Sequence, residues 1–272
     1  HEGFHQFAFT RFGNSLPPWA EEGLAEYFAD ALIIRGKLRL GLVPESRLRR
    51  VKRDLGSDSC LSLQELLFLD DAGWKKAIGG KQYIAGQLFD QSWSVVYFLM
   101  NGAGGKYAEA FQAFLRACAA GTPLEDSLKN AFGAGSFEEL EQQWRNEILQ
   151  LNPDPLSTSV EKMQFFASGL RWVYGYGDRP ATIKQLQADL IKRNFILMSA
   201  THRSTTMRSA NTDTHFDPPA TAAGSKPVLF VIAPNRNPSF PSIMYTQGLP
   251  ERVSIEWGRR ADGDLSFRIL IK

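Results

Sequence analysis

The sequence predicts an α+β protein, in which a mainly helical half precedes a small mixed domain with an antiparallel β-sheet. Three observations predict it. The first 150 residues hold six or seven segments with helical apolar spacing and no strong strand between them. Asn152-Pro153-Asp154-Pro155 then places two prolines within four residues, which indicates a boundary. Four short strand-like runs close the chain. We therefore expect one domain over residues 1–151 and a second over 152–272.

The first predicted helix carries two histidines, in the segment His1-Glu2-Gly3-Phe4-His5. Residues four apart lie one above the other on a helix, so His1 and His5 can each present a ring nitrogen to the same metal ion. A catalytic zinc typically takes three protein ligands and leaves its fourth position to water. A third ligand must therefore come from another part of the chain.

A second helix is predicted over residues 19–34, because Pro18 suits a first helical turn and apolar residues recur at helical spacing after it. Glu22 lies in its opening turn, where the helix dipole favours a carboxylate. Glu26 lies one turn further along the same face. We predict that Glu22 is the third ligand and that Glu26 supports the site.

The later helices of the first half follow from caps and apolar spacing. Ser62 and Glu65 form a capping box for a short helix, and Gly121 separates two others. A basic run over residues 47–53 is interpreted as a solvated helix face, with an anionic partner as the alternative. Five helices are predicted after this run, over residues 62–69, 85–100, 107–119, 123–132 and 138–149.

The second half is predicted to hold a helix pair, a flexible polar loop and a small sheet. Asp262-Gly263 indicates a hairpin between the last two strands. The polar run over 201–226 has little apolar content, so we expect it to be mobile. The regular elements are two helices over 160–173 and 182–193, a strand over 195–199, and four strands over 228–233, 242–245, 253–257 and 265–271.

Composition narrows the function classes. The chain has 272 residues, of which 43% are hydrophobic and 22% are charged, as in globular proteins. A formal net charge of +2 argues against a nucleic-acid or membrane role for the chain as a whole. We expect no nucleic-acid partner and no membrane segment in this chain. Cys60 and Cys118 lack metal-ligand spacing, so they are buried thiols or, alternatively, one disulfide.

The His-Glu-x-x-His string, followed by the helix that contains Glu22-Gly23-Leu24-Ala25-Glu26-Tyr27-Phe28, resembles the gluzincin zinc peptidases. Within that group the chain looks most like a set of bacterial domains of unknown function with a peptidase-like core. The resemblance covers roughly residues 1–150 and implies the helical half of a gluzincin domain. We expect the upstream helix and sheet of that family to be absent from this chain. The resemblance also favours an extracytoplasmic location.

The resemblance implies zinc-dependent hydrolysis of a peptide or protein substrate. His1, His5 and Glu22 would hold Zn²⁺, which lowers the pKa of a bound water to about 7. Glu2 would take a proton from that water and pass it to the leaving amine. Glu26 would orient His1 through its other ring nitrogen. Alternatively, Glu26 is a solvated helix residue without a role.

The group that stabilises the oxyanion is left open. Related peptidases use a Tyr on a later helix, but the aligned position here is Phe89, which cannot donate a hydrogen bond. Tyr83, His202 and His215 are alternatives, and weakened catalysis is expected if no donor takes that place. Two other functions therefore remain: a catalytically inactive zinc-binding relative that acts as a binding or structural module, or a helical scaffold with a chance motif.

Overall fold

The computed structural model describes residues 1–57, 59–79, 82–133, 137–200, 205–222 and 224–272. The described residues form eleven α-helices and three small antiparallel sheets, which confirms the α+β class. They divide into two compact units. The first comprises residues 1–32 and 39–152, and the second comprises residues 33–38 and 153–272. Whether these units are independent domains stays a prediction.

The first unit is mainly helical. One helix, α5, was not expected from the sequence, and it begins after Asp70, whose side chain accepts a hydrogen bond from the N–H of Gly73 at 2.7 Å. The nine helices of this part of the chain are α1 (Glu2–Phe12), α2 (Pro18–Ala29), α3 (Glu45–Gly56), α4 (Leu63–Leu67), α5 (Asp71–Ile78), α6 (Gln82–Asn101), α7 (Ala108–Ala119), α8 (Leu124–Phe132) and α9 (Glu138–Gln150).

The predicted end of the second helix is wrong. The helix α2 ends at Ala29, and the next residues form a short hairpin of β1 (Leu32–Ile34) and β2 (Lys37–Arg39). Arg35 and Gly36 connect these strands with φ angles of 50° and 76°. Positive φ at both central residues is the geometry of a type I′ turn, which matches the twist of a hairpin. Ile33 and Ile34 before this turn are β-branched, and such residues favour a strand over a helix.

Close packing of α2 against α6 fixes the part of α2 that carries Glu22. A Cβ atom on Gly23 would lie 2.6 Å from the backbone oxygen of Ser92, so only glycine permits this approach. Trp19, at the start of α2, is fully buried and stacks on Phe114 of α7 at a centroid distance of 5.6 Å. Tyr27 of α2 is also buried, whereas 38% of Phe28 is exposed.

Other predicted features of the first unit are confirmed. Glu65 N–H donates to the side chain of Ser62 at 3.2 Å, and Ser62 N–H donates to Glu65 Oε2 at 2.9 Å, which completes the capping box. Cys60 and Cys118 are free thiols, and burial raises the pKa of each.

Among the described residues, no helix combines the length and apolar character that crossing a membrane requires.

The second unit packs a long helix against a four-stranded sheet. Phe166 of the long helix contacts Phe230 of the sheet at a centroid distance of 5.0 Å. Within residues 201–226, the described residues include a strand over Thr205–Ser209 that pairs with its predecessor, and the expected mobility of this run stays a prediction. The elements are α10 (Pro155–Gly175), α11 (Ile183–Lys192), β3 (Ile196–Ala200), β4 (Thr205–Ser209), β5 (Leu229–Ala233), β6 (Ile243–Gln247), β7 (Val253–Arg259) and β8 (Leu265–Ile271).

The sheet of the second unit has the order β5-β6-β7-β8, and neighbouring strands are antiparallel. Val253 and Ile255 are buried, whereas Ser254 and Glu256, which alternate with them along β7, are more exposed. This alternation is typical of a sheet with one covered face. The predicted hairpin is confirmed, because Gly263 adopts a φ of 87° in the turn between β7 and β8.

Candidate metal centre

His1 and His5 lie one above the other at the start of α1. The N–H of His5 donates to the carbonyl of His1 at 3.3 Å, which places the two residues one helical turn apart. Their ring centroids are 4.8 Å apart, and their Nε2 atoms approach to 3.2 Å. Both rings are largely buried, with 21% and 18% of each side chain exposed. The helix thus directs both Nε2 atoms to one point.

Glu22 of α2 completes the cluster. Its Oε2 atom lies 3.7 Å from Nε2 of His1 and 3.5 Å from Nε2 of His5, and only 6% of the residue is exposed. Among the described residues, this trio is the only group of His, Cys, Asp or Glu side chains whose potential ligand atoms meet in this way, all within 4.8 Å of one another. The structure therefore brings together the three residues predicted as metal ligands.

The spacing of these three atoms suits a small tetrahedral ion. Zinc binds imidazole nitrogen and carboxylate oxygen at about 2.0 to 2.2 Å, so two ligands of a tetrahedral site lie about 3.3 to 3.6 Å apart. The measured separations in the His1, His5 and Glu22 trio are 3.2, 3.5 and 3.7 Å. Little rearrangement would be needed for the three groups to bind one ion.

The opposite ring nitrogens each face a carboxylate. Nδ1 of His1 lies 3.3 Å from Oε1 of Glu26, and Nδ1 of His5 lies 2.8 Å from Oε1 of Glu21. A protonated Nδ1 that donates to a carboxylate leaves Nε2 as the acceptor, which is the tautomer needed for metal binding. Glu21 was not identified from the sequence, although it directly precedes Glu22.

A buried arginine supports one of these carboxylates. Arg47 of α3 donates to Oε2 of Glu26 at 2.5 Å, and its other nitrogens lie 3.1 Å from Asp30 and 3.2 Å from Asp90. Only 13% of the Arg47 side chain is exposed. The interpretation of residues 47–53 as a solvated face is therefore wrong for Arg47, although Leu48 and the other apolar residues of α3 are buried as expected.

Charges in this cluster shift the pKa values of its members. Burial alone would raise the pKa of Glu26, but the adjacent Arg47 guanidinium and the hydrogen bond with His1 lower it to about 2. Burial, together with the neighbouring carboxylates of Glu26 and Asp90, raises the pKa of Asp30 to about 6, although the Arg47 guanidinium opposes this shift. Its three carboxylate partners raise the pKa of Arg47, despite burial. Arg47 therefore stays cationic, and Glu26 stays ionised, at neutral pH.

The other residues considered for the site are the proposed base and the candidates for stabilising the oxyanion. Glu2 is exposed in the first turn of α1, next in sequence to His1. Phe89 is buried in α6 and contacts Trp74 at a centroid distance of 5.9 Å. His215, in the second unit, stacks on Phe165 at 4.8 Å. The side chain of Tyr83 and the whole of His202 lie outside the described residues.

The second unit has an open cleft on the exposed face of its sheet. The cleft has a volume of about 490 Å³ and is lined by polar and aromatic residues, among them Tyr245, Arg252 and Trp257. Arg252 stacks on the ring of Tyr245 at 3.9 Å, and the indole of Trp257 donates to the carbonyl of Ser242 at 3.0 Å. Each of these polar groups therefore already has a partner within the unit, and the cleft holds none of the three residues of the metal cluster.

Comparison with known families places the cluster inside one matched region. Residues 1–125 match the family model described as "Protein of unknown function (DUF1570)". This span is shorter than the expected 1–150, but it contains the His1, His5 and Glu22 trio together with Glu26 and Arg47. No curated protein and no solved structure matches the chain. The family description names no activity, so the similarity to gluzincins stays a prediction. The comparison shows a DUF1570 match over residues 1–125 and nothing further.

Proposed function

We propose that the protein is a zinc-dependent hydrolase of peptide bonds, with His1, His5 and Glu22 as the metal ligands. The observation that carries this proposal is the convergence of two Nε2 atoms and one carboxylate oxygen, with separations of 3.2, 3.5 and 3.7 Å. Three protein ligands with a fourth position left over are typical of catalytic zinc sites, whereas structural sites usually have four. Hydrolysis is therefore favoured over a purely structural metal.

The charge around the trio also favours a divalent cation. Among the described residues, the contacts that start at the trio and continue through Arg47 connect five carboxylates and two guanidinium groups. The excess negative charge would be offset by a dication, and burial strengthens that attraction. The carboxylates are those of Glu21, Glu22, Glu26, Asp30 and Asp90, and the guanidinium groups are those of Arg47 and Arg50.

Each residue of the site has a part in the proposed reaction. Zinc at this position would supply a Lewis acid and lower the pKa of a coordinated water to about 7. Glu2 would accept the proton of the attacking water and pass it to the leaving amine, and its exposed position on α1 leaves its carboxylate accessible to a substrate. Glu21 and Glu26 hold the imidazole rings in the tautomer that frees both Nε2 atoms.

The direct test is hydrolysis of fluorescently labelled casein, an unstructured protein substrate, by the zinc-loaded protein. We expect activity that a chelator abolishes and that Glu2→Gln lowers by at least about 100-fold while the metal stays bound. The matched control is Glu109→Gln, which changes another exposed glutamate in the first turn of a helix. Full activity in the Glu2→Gln protein would contradict the assignment of the base.

The same assay addresses the alternative function. Phe89 packs against Trp74 in the core and has no hydrogen-bond donor to offer an oxyanion. A protein that binds one zinc per chain without hydrolysing casein would favour the catalytically inactive relative over the hydrolase. A chain that binds no zinc would contradict both functions.

A further inference from the structure

We infer that Arg47 is a positioning residue of the metal centre, which fixes His1 by holding the carboxylate of Glu26. The inference rests on the proposed function, because it assigns Arg47 a role in the site formed by His1, His5 and Glu22. It goes further in extending that site to α3 and α6, two helices that supply none of the three ligands.

The guanidinium of Arg47 contacts three carboxylates and one aromatic ring. Its three nitrogens face Glu26 at 2.5 Å, Asp30 at 3.1 Å and Asp90 at 3.2 Å. Its carbon atom Cζ also lies 5.5 Å from the ring centre of the fully buried Trp93. Because arginine presents its donors in a rigid plane, these contacts leave the group little freedom to turn.

This fixed cation reaches the metal centre through Glu26. Oε2 of Glu26 accepts from Arg47, and Oε1 faces Nδ1 of His1 at 3.3 Å. Since a carboxylate is planar, holding one oxygen on Arg47 sets the direction of the other. The ring of His1 is thereby oriented so that Nε2 points towards Glu22 and His5.

A purely structural role is the competing explanation for Arg47, because it joins α2, α3 and α6 through buried ion pairs. Arg50 provides a matched comparison. It lies one turn further along α3 and donates to Asp90 twice, at 2.5 and 3.0 Å. Its hydrogen bonds within the described residues go to Asp90 and not to Glu26. A structural role in joining α3 to α6 would be shared by both arginines, whereas the contact with Glu26 of α2, and with it the positioning of His1, belongs to Arg47 alone.

The test is zinc affinity measured by competition with a chelating indicator, on the full chain with Arg47→Lys, Arg50→Lys, Glu26→Gln and the double variant Arg47→Lys/Glu26→Gln. Replacing the outer partners of metal ligands typically weakens metal binding by about 10- to 100-fold. We expect a loss in this range for Arg47→Lys and a loss below about threefold for Arg50→Lys. Lysine keeps the buried positive charge, and circular dichroism of each metal-free variant checks that it folds.

The double variant distinguishes positioning from independent stabilisation. If Arg47 acts through Glu26, Arg47→Lys causes no further loss of affinity once Glu26 is glutamine. The d–d absorption of bound Co²⁺ should also change in Arg47→Lys and stay unchanged in Arg50→Lys. Losses that multiply in the double variant, or equal losses in the two lysine variants, would overturn the inference while leaving the zinc site intact. A wild-type protein without zinc affinity would instead overturn the proposed function and the inference together.

Discussion

The two histidines of the candidate centre are held in different ways. Nδ1 of His1 faces Glu26, whose side chain is 17% exposed and is bound in turn by Arg47. Nδ1 of His5 faces Glu21 at a shorter distance, 2.8 Å, but the Glu21 side chain is 37% exposed. The shorter contact is therefore the more solvated one.

This difference indicates which side of the centre depends on buried electrostatics. Contacts between exposed charges contribute little because water and salt screen them. A buried carboxylate held by a buried guanidinium keeps its orientation, and leaving one partner unpaired is costly. The His1 side comprises His1, Glu26 and Arg47, and the His5 side comprises His5 and Glu21. We therefore expect zinc affinity to be sensitive to substitution of Glu26 or Arg47, and much less sensitive to substitution of Glu21.

Removal of a metal ligand should have the largest effect on zinc affinity. His5→Ala and Glu22→Gln each remove one of three ligands, so we expect the zinc dissociation constant to rise by about 1000-fold or more. Competition with a chelating indicator measures this change. His215→Ala, which removes a histidine of the second unit, is the control and should leave the affinity unchanged. Retained affinity in His5→Ala would rule out the trio.

Substitution of the carboxylates that face Nδ1 of each histidine should weaken zinc binding to different extents on the two sides. Glu26→Gln should weaken zinc binding by about 10- to 100-fold, because the His1 ring loses a buried charged partner. Glu21→Gln should weaken it by no more than about threefold, since this carboxylate is partly solvated and water screens its charge. Equal effects in the two variants would contradict the comparison.

A pH-dependent change in the free energy of unfolding is expected from Asp30, which contacts Arg47 on the His1 side. The pKa of Asp30 is raised from 3.8 to about 6, so between these values the folded state holds a proton that the unfolded chain has lost. The contribution of Asp30 to stability is therefore fully present below pH 3.8 and is lost as the pH rises through 6. One pKa unit corresponds to about 1.4 kcal/mol, so we expect a loss of about 1 to 3 kcal/mol.

Urea unfolding of the metal-free protein tests this expectation. The free energy of unfolding of the wild type should fall relative to Asp30→Asn as the pH is raised from about 4 to about 7.5. Arg47, Glu26 and Asp90 surround Asp30 and are present in both proteins, so the difference isolates this carboxyl group. A difference that does not change with pH would show that the pKa of Asp30 is not raised.

The sequence predicted the part of the centre that depends on local geometry. Helical spacing relates His1 to His5, and Glu22 to Glu26. In the structure His1 is the N-cap of α1, which contains His5, and α2 contains both glutamates. Contacts that depend on tertiary packing were not predicted. Arg47 lies 21 residues from Glu26 and 43 residues from Asp90, and a basic run gives no indication of which arginine is buried.

For the fold as well, elements set by local sequence patterns were predicted, and elements that depend on tertiary pairing were missed. The helix α4, which has a capping box, and the helix α9, whose apolar residues have helical spacing, lie close to their predicted bounds. The strand β4 was missed because Thr205–Ser209 has little apolar character, and its pairing with β3 supplies hydrogen bonds that no local pattern indicates. The end of α2 was missed because a β-branched run is compatible with either structure until the turn at Arg35 and Gly36 is considered.

Zinc content is the measurement that tests the central claim most directly. The full chain would be dialysed against a trace of zinc and analysed by elemental analysis, beside Glu22→Ala and His5→Ala. The account predicts one zinc per chain in the wild type and none in either variant. A wild type without zinc, or variants that retain it, would contradict a centre formed by His1, His5 and Glu22.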